Sequence, residues 1–154
     1  LVFYYKIASI YFCLEDYEQC IFYLDKIIND KALDIRQDLM CFSRILNLVA
    51  HYEAALDYDL DKQVKSTFKF LIEIEDLYEV QKQMVLFLRK LPDVSPNNIK
   101  QELKTLHNSL KVLETHPYEK RAFLYLDILS WLESKIENIS VSEVIQSKFK
   151  KSKK

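Results

Sequence analysis

Not one glycine occurs among the 154 residues of this chain, where ordinary usage of about 7% would place roughly eleven. Glycine takes positive φ without steric cost and lets backbone close on a ligand. A phosphate-cradling P-loop, a dinucleotide fingerprint, an EF-hand loop and a nucleophile elbow all depend on it. Most nucleotide enzymes are thereby excluded. The chain must build its turns from other residues.

The pattern between those turns is helical almost end to end. Ile99, Leu103, Leu106, Leu110 and Leu113 recur at steps of four, three, four and three, the spacing of one helix face. Leu77, Val80, Met84, Phe87 and Leu91 repeat it, as do Phe42, Ile45, Val49 and Tyr52, and later Tyr125, Ile128, Leu129, Leu132 and Ile136. Strand alternation is not evident anywhere. The breaks carry helix-start signals: Asp16 before Gln19, Asp34 before Gln37 and Ser140 before Glu143 read as capping boxes, and Ser95–Pro96 as a cap followed by proline at the first helical position. The reading is all-α, with about eight helices near 1–14, 17–30, 35–55, 59–74, 77–91, 96–115, 118–137 and 141–149. Short connections make consecutive helices antiparallel. At this length the chain holds one sizeable core.

The stretch KIASIYFCLEDYEQCIFYLDKII, residues 6–28, places Ile7, Ala8 and Tyr11 before the turn and Cys20, Leu24 and Ile27 after it. In this it resembles a tetratricopeptide repeat, a family of 34-residue helical hairpins. A looser copy contains Tyr52 and Asp57–Tyr58. The runs FSRILNLVAHYE, STFKFL and YLDILSWLESKIEN are also similar to the C-terminal region of large bacterial tetratricopeptide proteins. The resemblance implies a right-handed α-solenoid of about four hairpins over residues 1–149, part of a longer bacterial chain, acting as a protein–protein or peptide interaction scaffold. It implies that the first helix of a pair lines a concave groove, which makes Val2, Tyr5, Ser9 and Phe12 the expected peptide contacts. A regulatory module that senses a peptide by changing curvature is the alternative, and an enzyme of unknown type the remote one.

Catalytic signals are weak. His51, His107 and His116 have no zinc-ligand spacing, and His116, before Pro117 at a helix end, is expected to cap carbonyls. No serine, cysteine or lysine comes with a recognisable base partner. No catalytic residue, metal or cofactor is therefore expected. Cys13, Cys20 and Cys41 form no C-x-x-C motif and read as small buried apolar residues of a reducing, cytoplasmic compartment. No apolar run reaches the roughly 18 residues of a membrane-spanning helix. Lys148, Lys150, Lys151, Lys153 and Lys154 form the only charge block. Without them the body holds 17 basic against 23 acidic residues, so nucleic acid is not the expected partner, and residues 150–154 are expected to be a mobile, dispensable tail. The first helix carries more apolar residues than one face can bury. Upstream repeats are therefore expected to be missing, and the N-terminal hairpin to self-associate.

Overall fold

A computed structural model of the protein describes residues 2–31, 36–54, 60–74 and 77–153. Among them are nine α-helices and no strand: α1 (Val2–Cys13), α2 (Tyr17–Ile28), α3 (Gln37–Glu53), α4 (Leu60–Ile72), α5 (Glu79–Lys90), α6 (Ile99–Lys111), α7 (Ala122–Tyr125), α8 (Ile128–Glu137) and α9 (Val141–Ser152). No described helix is long and apolar enough to cross a membrane.

The expected starts are partly realised. Asp16 Oδ1 accepts the Gln19 N–H at 3.2 Å, and Ser140 Oγ accepts that of Glu143 at 3.1 Å. Asp34 lies outside the described residues. Ser95 makes no side-chain cap; a 3-10 turn, Pro96–Asn98, leads into α6 instead. The absence of glycine does not keep the backbone out of the left-handed region. Glu15 (φ 61°) and Asn138 (φ 56°) occupy it just past α1 and α8, where glycine is the common choice. At the first of these the Asp16 N–H reaches Tyr11 O at 2.9 Å and the Glu15 N–H reaches Phe12 O at 3.0 Å, a Schellman closure.

Two departures from the sequence reading shape the molecule. The helix expected over 118–137 is broken into a 3-10 turn (Glu119–Arg121), α7 and α8, with Leu126 extended (φ −136°, ψ 102°). Asp127 forces the restart: its Oδ1 accepts the Ser130 N–H at 3.2 Å, and a carboxylate that caps the next turn competes with helix continuation. At the other end, α9 runs through Ser152, into the lysine block, and Lys148 binds Glu133 Oε2 at 2.9 Å.

α3 is the centre of the core. Leu39, Cys41, Phe42, Ser43, Ile45, Leu46, Leu48, Val49 and Ala50 are all buried, more than one face of a helix, as an enclosed helix requires. α1 and α2 pack as an antiparallel pair, with Phe12 against Tyr17 and Lys26 over Tyr4. α2 lies along α3, where the Tyr17 hydroxyl donates to Glu53 at 3.3 Å. α4 and α5 cover another side of α3, and α6, α8 and α9 form a further group, tied by His107 to Glu133 at 2.9 Å and by Lys148.

This last group folds back on the first. Tyr5 donates to Tyr125 O at 2.7 Å, Ser142 to Cys13 O at 2.7 Å, and the fully buried Trp131 to Glu53 Oε1 at 3.2 Å. Tyr125 stacks on Phe42 at 5.2 Å between centroids. The first two of these bonds, between residues 120 and 129 apart, bring Tyr125 and Ser142 back onto α1.

Candidate functional site: an apolar recess beside the first helix

Positions 2, 5, 9 and 12 follow one another by three, four and three residues, so they share one side of α1. Val2, Tyr5, Ser9 and Phe12 all line a recess of about 480 Å³. Its floor is Leu39 and Leu46 of α3, and its far wall is Phe123–Asp127, the segment where α7 gives way to α8. Tyr5 and Phe12 are buried and form the inner surface, whereas Val2, Ile10 and Leu124 stand exposed at the rim, Leu124 at 85%.

The polar groups here are engaged in holding the walls. The Tyr5 hydroxyl bonds Tyr125 O, satisfying a carbonyl at the helix break, and Ser9 Oγ donates to Tyr5 O at 2.9 Å. Asp127 accepts from the Ser130 N–H and, at 2.8 Å through Oδ2, from Ser130 Oγ. Burial pushes the Tyr5 hydroxyl far above its ordinary range. Burial, then the Asp127 charge, also pushes the Cys13 thiol up, so it is no ready nucleophile. What remains is an apolar surface with Lys6 and Asp127 as its only charges among the described residues, suited to taking up aliphatic or aromatic side chains.

The far wall is the part that sequence reasoning missed. Asp127 is an N-cap residue type, but it stands inside an apolar stripe whose spacing reads as one continuous helix.

The three histidines are apart. His51 Nε2 lies 3.4 Å from Gln63 Nε2, and His107 binds Glu133. His116 does not cap carbonyls: its Nδ1 accepts the N–H groups of Tyr118 and Glu119 at 3.2 and 3.1 Å, because the following turn starts at once and its donors need acceptors. Among the described residues no group of three or more His, Cys, Asp or Glu side chains could hold a metal. Cys13, Cys20 and Cys41 are free thiols; burial, the leading cause in both, pushes Cys20 and Cys41 up to about 12. Comparison of the chain with protein-family models, with curated proteins and with solved structures found no match.

Proposed function

We propose that the chain is a helical protein-interaction module that docks a short apolar segment of a partner in the recess between α1 and residues 123–127. One observation carries this reading: exposed aliphatic side chains at the rim, Val2, Ile10 and Leu124, lead into an apolar interior lined by α1 and α3. Exposed apolar groups around a concavity are characteristic of interaction sites. The walls are braced by the Tyr5 hydroxyl bonded to Tyr125 O, so the partner meets a preformed surface, which lowers the cost of binding. The reading is of binding, without a reaction. The tetratricopeptide-like part is the α1–α2 pair, supported by Ala8 and Cys20, both fully buried. The wider solenoid is replaced in this proposal by a hairpin built into a closed bundle. Free buried thiols favour a reducing, cytoplasmic setting.

The test is selection of random peptides on the immobilised protein, followed by binding to point variants. Enriched peptides should carry bulky apolar residues, lose at least tenfold in affinity to Leu124→Asp and Ile10→Asp, and bind Leu86→Asp unchanged, since Leu86 is exposed elsewhere. No enrichment, or equal binding to all three variants, refutes the proposal.

A second reading, self-association of the N-terminal hairpin, is favoured by Phe3 at 71% exposure and by the exposed Leu14 and Phe22. It predicts a mass that rises with concentration in light scattering and returns to monomer in Phe3→Lys.

A further inference from the structure

Arg44 Nε and Asn47 Oδ1 on α3 and Gln63 Oε1 on α4 are buried polar atoms without a hydrogen-bond partner among the described residues. All three side chains line one recess of about 230 Å³ between α2, α3 and α4, and Asp25, Lys62, Ser66 and Thr67 complete its polar wall. Buried polar groups in folded proteins are nearly always paired, and one left bare costs its desolvation without return. Among the described residues Ser43 Oγ and Gln81 Nε2 are unpaired as well, outside this recess, but the recess gathers three such atoms on one wall.

The geometry is that of a receptor. The Arg44 guanidinium lies 4.3 Å from the Phe70 ring centroid, a cation–π contact. It forms no ion pair with a described residue, and burial pulls it below its ordinary value. A planar fork of donors held this way matches a carboxylate. The Asp25 carboxylate, Asn47 Oδ1 and Gln63 Oε1 supply acceptors on the same wall, and acceptors call for N–H donors. Burial raises Asp25 while His51 opposes that rise, as suits a carboxylate whose charge a bound cation would relieve. The volume is too small for a helix or a folded partner, yet exceeds the cavity of about 150 Å³ that accommodates benzene.

We propose that this recess binds a small zwitterion of the amino-acid class, with its carboxylate on Arg44 and its ammonium on Asp25, Asn47 and Gln63. Arg44 and Lys62 against Asp25 leave the wall one charge positive, so an acidic amino acid is preferred to a neutral one and a neutral one to a basic one. The site is separate from the apolar recess at α1 and does not depend on it.

Titration of the 15N-labelled chain with L-aspartate, L-asparagine, L-lysine, succinate and N-acetyl-L-aspartate decides the matter. Amide signals around Asp25, Arg44, Asn47 and Gln63 should shift saturably with L-aspartate, less tightly with L-asparagine and least with L-lysine. Arg44→Met should weaken L-aspartate by about tenfold or more, the effect of losing a charged hydrogen-bonding pair. Arg44→Lys keeps the charge without the fork and should also bind more weakly, which covers the case of a poorly folded Met variant. Asp25→Asn should weaken L-aspartate but not succinate. Absence of saturable shifts at millimolar concentrations overturns the proposal, as does equal binding by the Arg44 variants. Succinate or N-acetyl-L-aspartate binding as tightly as L-aspartate overturns the zwitterion assignment.

Discussion

Glu53 accepts from the Tyr17 hydroxyl, the Trp131 indole and the Lys135 ammonium, so one side chain at the end of α3 joins α2 and α8 to the centre. Removing it leaves an indole N–H and a phenol without acceptors in a nearly closed site. Glu53→Ala is expected to cost about 2–4 kcal/mol, measured by denaturant melts, with Trp131 emission shifting to the red as its surroundings loosen. The opposite effect is expected at Glu15. A glutamate at φ 61° carries a Cβ clash that glycine avoids, so Glu15→Gly should stabilise the protein by about 1 kcal/mol. A loss of stability there would show that the Glu15 side chain contributes more than its backbone strain removes.

At the scale of the helix, α1 and α2 were the most legible part of the chain, because the small residues Ala8 and Cys20 stand where two helices must approach closely. Both are fully buried. Ala8→Leu should overpack the contact and cost about 1–3 kcal/mol, and a melt without any loss would place the closest approach elsewhere. The α7–α8 break was not legible, since an apolar stripe records which residues are buried but not whether the backbone between them is continuous. Val2, Tyr5, Ser9 and Phe12 could be assigned to one helix side from spacing alone. Their opposite wall could not, because it comes from residues more than 110 positions away, brought there by Asp127 capping a new helix.

For the molecule as a whole, local stripes specify helices but leave open whether the ends of the array meet. Phe42, Ile45 and Val49 announce one buried face of α3; that Leu39, Cys41, Leu46 and Leu48 are buried as well goes with α1, α2, α4 and α5 all packing on that helix. Glu133 fastens the C-terminal group of α6, α8 and α9. Burial alone would raise its carboxyl, but the bonds from His107 and Lys148 outweigh this and hold it below the ordinary 4.5. A carboxyl depressed in the folded state contributes stability above its unfolded value, and that contribution is lost as pH falls through the folded one. Glu133→Gln should therefore be less stable than the parent at neutral pH, with the difference shrinking on acidification below about 4.5. Chemical melts at a series of pH values measure this, and a gap that stays constant would mean that Glu133 acts through packing alone.

The bond from Ser142 to Cys13 O also has a meaning in time. During synthesis α1, α2 and α3 emerge early, yet the residues that close over Tyr5, Trp131's partner Glu53 and the Cys13 carbonyl are made more than a hundred residues after α1. Until then the nascent chain holds an unfinished core open to water. Helical contacts form quickly, but a closure across such separations is slow because the intervening chain must first be ordered. The interval is one in which a chaperone, or another nascent copy, competes for the same apolar surface.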